Sequence, residues 1–396
     1  MIALAHVLAI IAVFGLLPTT VLFTEILISI LIPNAPAPED GPRLPIAVVM
    51  PAHDEATIIV NAVRSVLSQL GRCDRLVVIA DNCSDDTAVI AEAEGAEVIV
   101  RNDSNRRGKG FALDYAIRHL EANPPGVVIV IDADCTIADG SLDRLARKAA
   151  RTVRPIQALY LMYAPRGAGA MARVAQFAWT VKNLVRPLGL YGMGLPCQLM
   201  GTGMAFPWAC INSADLATGH IAEDLKLGVE LARMGSPPLF CPEAVVMSYF
   251  PVSREGLRTQ RTRWEHGHMG LILSDVPRQI FHSFRTVDGN LMALALDLSV
   301  PPLALLALFL GVVWVTCALF DVITNSRLPF EIASCAAALL VLSVLSAWAR
   351  YGRDIISLRQ LLLSVPYAIL KAPLYAKFLI AREAKWVRSK RNDDRT

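Results

Sequence analysis

The chain has 396 residues, 54% of them apolar and 18% charged, with a mean hydropathy of +0.45. That is too apolar for an ordinary soluble protein and too polar for one made only of membrane spans, so a polar domain is expected between apolar ends. A net charge of +3 gives no sign of a nucleic-acid partner, and eight scattered Cys with no CxxC pair exclude a zinc motif and suit reduced cytosolic thiols.

Residues 2–32 are almost entirely apolar, with Pro18 and Glu25 as the exceptions. A signal peptide would open on basic residues, and Met1–His6 holds no Lys or Arg. The stretch predicts one membrane helix, kinked at Pro18. Residues 33–45, PNAPAPEDGPRLP, read as an extended linker.

Residues 46–285 alternate strands and helices and are expected to form one cytoplasmic domain. Strands are predicted at 46–50, 75–80, 96–100 and 126–131. Helices are predicted at 57–70, 85–95 and 110–122. Continuous apolar strands between helices predict a parallel α/β sheet covered on both faces, with ligands beyond the carboxyl ends of its strands. The segment 168–190 mixes apolar and basic residues at helical spacing, which suits a helix on the membrane surface.

The region 286–382 reads as membrane again. Residues 298–320 would reach about 34 Å as a helix and 332–349 about 27 Å, both near the hydrocarbon thickness. The segment 355–380 carries Arg359, Lys371 and Lys377 and is broken by Pro366 and Pro373, so an interfacial helix pair suits it better than a span. The tail, 383–396, is basic. Positive charge at 349–354 and in the tail places both in the cytoplasm, together with the middle domain, as in a bacterial inner (plasma) membrane protein. The basic tail also suits contact with anionic lipids.

Polar motifs follow the predicted strands. Asp132 and Asp134 flank Ala133 directly after the strand 126–131. On extended backbone they point the same way and make a hard-oxygen site for Mg²⁺ or Mn²⁺ carrying diphosphate oxygens. A solvated turn is the plainer alternative for a lone DxD. Asp81 closes the strand 75–80. Ser84 or Asp85 can cap the next helix, which leaves Asp81 for a nucleotide base or ribose. Glu55 and Asp54, after the first strand, are weaker candidates of the same kind. Arg106, Arg107 and Lys109 surround Gly108 and Gly110 in a loop that can hold phosphate, although the P-loop spacing is absent. Glu223 and Asp224 open a predicted helix. From spacing alone, Asp224 can be a helix cap or a general base. Gln260, Arg263 and Trp264 share one helix face, where Arg can grip phosphate, Trp can stack on a pyranose and Gln can bond a hydroxyl.

Five motifs in this order, PAHDE, ADNCSDDT, DADC, AEDLKLG and QRTRW, make the chain resemble membrane-bound family-2 glycosyltransferases. These include the cellulose, chitin and hyaluronan synthases and ceramide glucosyltransferase. The resemblance implies a GT-A-like (Rossmann-like) fold, a mixed sheet flanked by helices, with transmembrane helices at both ends. It implies a nucleotide-sugar donor, a UDP-sugar by preference, and a lipid-linked or glycan acceptor. By position, Asp81 would contact the base, and Glu55, Lys109 and Arg263 would join the donor site. Asp132 and Asp134 would hold the metal. Asp224 would be the base, and Glu223, Gln260 and Trp264 would meet the acceptor. Residues 197–206, CQLMGTGMAF, resemble the glycine-bearing loop near the acceptor. Asn82 stands where the pattern carries a second acid.

The expected activity is inverting sugar transfer at the membrane. A non-catalytic sugar-nucleotide-binding scaffold with a decayed site is the alternative, and the presence of Asp132, Asp134, Asp224, Arg263 and Trp264 argues against it. A transporter would carry its charges inside the spans, and 298–320 and 332–349 have almost none.

Overall fold

The computed structural model describes residues 1–32, 42–251 and 253–380. The basic tail and most of the linker lie outside the described residues. Among these, eight strands form one sheet: β1 (Ile46–Ala52), β2 (Arg75–Asp81), β3 (Glu97–Arg101), β4 (Val127–Val130), β5 (Thr136–Ile137), β6 (Ile156–Tyr163), β7 (Met204–Pro207) and β8 (Leu239–Tyr249). Their order across the sheet is β3-β2-β1-β4-β7-β6-β8-β5.

The strands β3, β2, β1 and β4 run parallel, as their unbroken apolar sequences predict. Val48, Val49, Val77, Val78, Val128 and Ile129 are fully buried, so β1, β2 and β4 are covered on both faces, while the edge strand β3 leaves Val100 52% exposed. The helix Lys109–Leu120 covers one face with Ala112, Leu113, Ala116, Ile117 and Leu120. Those positions recur at helical spacing and form a single apolar stripe. Burying Leu120 alone contributes about 1.5–3 kcal/mol.

Beyond β4 the strand directions change. Strand β7 runs antiparallel to both β4 and β6, and β5 runs antiparallel to β8. The sheet is therefore mixed. The pairing of β6 with β8 slips between Ala158 and Leu159, opposite Cys241 and Val245. Pro242 lies in the extra segment of β8, where it has no N–H to give a ladder.

The described residues fall into two compact units. The sheet unit holds 42–163 and 195–267. The second holds 1–32, 164–194 and 268–380, so 164–194 and 268–285 pack with the apolar helices and not with the sheet. Their burial explains this. The helices Ala170–Thr180 and Arg186–Gly192, joined by a π-helical turn at Val181–Val185, bury Val174, Phe177, Val181, Val185 and Leu190. Four helical segments are long and apolar enough to cross a membrane: Ile2–Leu31, Leu303–Thr324, Leu328–Gly352 and Leu358–Ile380. The last has a mean hydropathy of 1.2, against 2.1 to 2.6 for the others.

Within this helical unit a charge cluster is buried. Arg186 Nε donates to Glu25 at 2.6 Å and its Nη2 donates to Asp297, as both side-chain and backbone acceptor. All three residues are at most 6% exposed. Gly189, one turn further on, sits against the backbone of Glu25 where no Cβ would fit.

Candidate active site

The carboxyl ends of β1, β2 and β4 carry the polar loops, as expected for a parallel half-sheet. They open on a cleft of about 490 Å³. Glu55, Asp81, Lys109, Asp132, Asp134, Gln260 and Arg263 all line it. Glu223 and Asp224 line a small adjoining pocket in which Lys109 also takes part. The structure thus gathers nine of the ten candidates around Lys109. Trp264 lines neither cavity.

At the centre, Lys109 Nζ bonds Asp132 and donates to the Gly201 carbonyl at 2.6 Å. Burial opposes charge on this amine, yet Asp132, Glu223 and Asp224 hold its proton and raise its pKa. Gly110, the next residue, faces the carbonyls of Leu216 and Thr218 at 2.5 and 2.6 Å from any added Cβ. Only glycine lets the helix start approach that loop, which fixes where Lys109 projects.

The backbone N–H of Asp132 donates to Thr202 Oγ1 at 3.1 Å. The Gly201–Gly203 turn is held in place by Gln157, which is fully buried. Its Nε2 donates to the Thr202 carbonyl at 2.9 Å, and its Oε1 accepts from Met200 N at 2.8 Å. Gly203 has φ +65° and faces Ala158 and Val246 at 2.8 and 2.9 Å from an added Cβ, so a side chain is excluded twice over. The loop 197–206 therefore supports the DxD turn from beneath. Gln157 carried no local sequence signal.

The donor chemistry around Asp132 and Asp134 suits a divalent cation. Ligand atoms of Asp132, Asp134 and Cys135 lie within 4.8 Å of one another. Cys135 is fully buried, and burial beside the two carboxylates lifts its thiol well above its ordinary range. The two carboxylates are hard-oxygen ligands of the kind that hold Mg²⁺ or Mn²⁺ together with substrate phosphates. Lys109 supplies the counter-charge at Asp132.

The acids after β2 are engaged differently. Asp81 is buried and paired with Arg101, Nη1 to Oδ1 at 2.6 Å. Burial raises its pKa, and Arg101 opposes that rise. Asp81 and Arg101 are register partners on β2 and β3. Asn82 adopts φ 52°, a left-handed conformation that Asn tolerates, and its Oδ1 accepts from Asp103 N at 2.9 Å. The side chain that replaces the usual acid thus ties two loops together. Asp54 accepts from Ser84 N at 2.6 Å, and Asp85 accepts from Ala56 N at 3.1 Å and from Thr87 N at 3.0 Å. These bonds lace the β1 and β2 loops to each other. Arg101 and Thr87 are working residues that the sequence reading passed over.

Helix Glu223–Arg233 begins at the two acids, and helix Arg254–Ser274 carries the QRTRW run. Burial, with Asp224 beside it, pushes the Glu223 acid up to about 7, while Lys109 and Arg263 pull it down. Asp224 Oδ2 comes within 3.3 Å of where a Cβ on Gly201 would stand, which places its carboxylate beside the DxD support loop. Gln260 is 8% exposed, and its buried Oε1 has no hydrogen-bond donor among the described residues.

A family model for glycosyltransferase-like family 2 matches residues 42–267. Glucosyl-3-phosphoglycerate synthase of Mycolicibacterium paratuberculosis is 36% identical over 95 residues, which is 22% of this chain. The match covers only 28% of that relative's length. Among solved structures, the mannosyltransferase PcManGT from Pyrobaculum calidifontis, in complex with GDP-Man and Mn²⁺, aligns with a TM-score of 0.53 at 18% identity. That alignment covers 87% of this chain and 99% of the mannosyltransferase, and it is a likeness of fold. With a mixed GT-A-like sheet, five motifs in order around a cleft and its adjoining pocket, and a family match over more than half its length, the chain belongs to the family-2 glycosyltransferases.

Proposed function

We propose that this protein transfers a sugar, with inversion, from a UDP-sugar to a lipid-linked or polysaccharide acceptor at the cytoplasmic face of a bacterial inner membrane. The observation that carries the reading is the meeting of Asp132, Asp134, Lys109, Gln260 and Arg263 on one cleft, with Asp224 adjoining. The Mn²⁺ and GDP-Man of the mannosyltransferase complex support a divalent ion and a nucleotide sugar here.

Asp132 and Asp134 would hold the cation that accompanies the donor diphosphate. When bound, the ion supplies neutralisation of the charge that grows on the departing diphosphate. Lys109 and Arg263 add fixed positive charge at the same place. Asp224 takes the proton of the acceptor hydroxyl at a carboxylate oxygen as that hydroxyl attacks the anomeric carbon. Gln260 bonds a sugar hydroxyl. Asp81, held by Arg101, presents its remaining acceptor capacity to the base.

Four long apolar helical segments support a membrane setting. The helix Val276–Thr286 supports it too. It buries Gln279 and Ser283 and turns Phe281 and Phe284 outward, the reverse of a helix facing water. In the three-span arrangement proposed here, Leu358–Ile380 lies at the inner interface with Lys371 and Lys377. An impermeant maleimide should then label an engineered Cys at 325, and not one at 390, in intact cells lacking native Cys. Labelling at 390 would favour four spans.

The reading is tested by incubating membranes with radiolabelled UDP-glucose, UDP-N-acetylglucosamine or GDP-mannose. Label should pass into lipid or polymer with Mn²⁺ or Mg²⁺ and stay in the nucleotide sugar with EDTA. Asp224→Asn should keep donor binding and lose at least ~10²-fold in kcat. Failure of every donor to give product would sink the proposal.

A further inference from the structure

The cleft wall contributed by β8 carries an aromatic ring that the motif reading does not use. Tyr249 is the last residue of β8, lines the cleft and is 69% exposed. The other aromatic lining residue, Phe250, is 5% exposed and belongs to the core. An exposed tyrosine at the carboxyl end of a parallel strand stands where such sheets bind ligands. Its position is fixed from below. Tyr249 is the register partner of Tyr163 at the end of β6, and the two rings lie 6.1 Å apart at 46°. Phe250 N donates to the Tyr163 carbonyl at 3.0 Å, which pins the chain just past Tyr249. A buttressed ring loses little freedom when a ligand lands on it.

The chemistry of the neighbouring wall says what that ligand is. Met247, two residues earlier, pairs with Thr136, which follows the DxD turn by two residues. Gln260 and Arg263 line the same cleft. The ring thus shares its cleft with groups suited to diphosphate and hydroxyls, and its exposed face suits an apolar flank. A pyranose ring has both characters, with hydroxyls at its edge and C–H groups on its face.

We propose that Tyr249 is a sugar-stacking residue of this cleft, packing against a pyranose beside the diphosphate site, a role the sequence assigned to Trp264. This rests on the glycosyltransferase reading above. The pyranose belongs either to the donor or to the acceptor, and the test separates them.

Full-length protein in detergent is titrated with UDP and with UDP-glucose, and with GDP and GDP-mannose, in Mn²⁺. Donor and acceptor KM are then measured with the pair that turns over. Tyr249→Ala should bind the bare nucleotide as the wild type does, which shows that the fold is intact. If the donor ring stacks, the nucleotide sugar loses roughly ten-fold in affinity while the nucleotide does not. If the acceptor ring stacks, donor affinity holds and acceptor KM rises by a similar factor. Tyr249→Phe should keep most of either effect, because the ring remains. Unchanged sugar affinity and unchanged acceptor KM in Tyr249→Ala would overturn the assignment. Loss of bare-nucleotide binding would overturn it too, by showing a structural role. A wild-type protein that binds nucleotides but no nucleotide sugar would defeat the transferase reading itself.

Discussion

The loops after β2 and after β4 are both acidic, both end buried parallel strands, and do different work. After β2, the carboxylates are taken up by the chain. Asp81 is paired with Arg101, and Asp85 accepts from Ala56 and Thr87. After β4, Asp132 and Asp134 lie close together beside the cleft, with the Lys109 ammonium at Asp132. Acids that meet backbone donors and guanidinium groups build a loop. Acids brought together on a cleft wall favour a cation between them. Strand-end position alone does not distinguish the two, but the partners do.

The comparison is broken most severely at the DxD turn. Asp134→Asn should lower turnover by about 10²–10³-fold, through loss of charge stabilisation at the diphosphate. Its melting temperature should not fall, because a clustered like charge has been removed. Kinetics and thermal unfolding on the same preparation check both halves. A drop in stability with turnover intact would make Asp134 a loop-builder like Asp85.

Removing Arg101 reverses the pattern. Arg101→Met leaves the Asp81 carboxylate buried without its partner, at a cost of about 3–5 kcal/mol. Thermal unfolding should show a clear loss of stability, and donor KM should rise as the base-facing loop loosens. A variant as stable as the wild type would show that the pair holds nothing in place.

The smallest effect sharpens the electrostatic side. The Glu223 acid stands at about 7 against an ordinary 4.5, so between these values the folded protein holds a proton that the unfolded chain has released. Stability contributed at this site is present below the ordinary value and falls as pH rises toward 7, then levels off. Glu223→Gln should flatten that part of the melting-temperature profile. A profile identical to that of the wild type would place the buried proton elsewhere.

Much of this was legible in the sequence because burial on both faces leaves a continuous apolar run. β1, β2 and β4 are such runs, each followed at once by its polar loop. The direction of β7 was not legible. Its four residues, Met204–Pro207, read as part of a glycine-bearing loop, and only the sheet shows that they pair antiparallel to β4. Gln157 was hidden for the opposite reason, since a single buried amide inside a strand has no local pattern. Arg101 was within reach. With β2 and β3 predicted and parallel, an acid and an arginine at neighbouring strand ends already stood in register. The gathering of the QRTRW face with the DxD turn needed the tertiary structure, because 125 residues or more of chain lie between them.

The buried cluster of Glu25, Arg186 and Asp297 sets an order of events during synthesis. Glu25 precedes its arginine by 161 residues, and the arginine precedes Asp297 by 111. At ordinary translation speeds the first helix waits roughly ten to thirty seconds for Arg186 to be made. Through that interval its carboxylate has no counter-ion from this chain, and the arginine in turn acquires its second acid only after the entire sheet domain has been synthesised. The cluster is therefore a late clasp. It closes across three separate stretches of chain once the intervening domain is complete, and a chain stopped before residue 297 would leave it open.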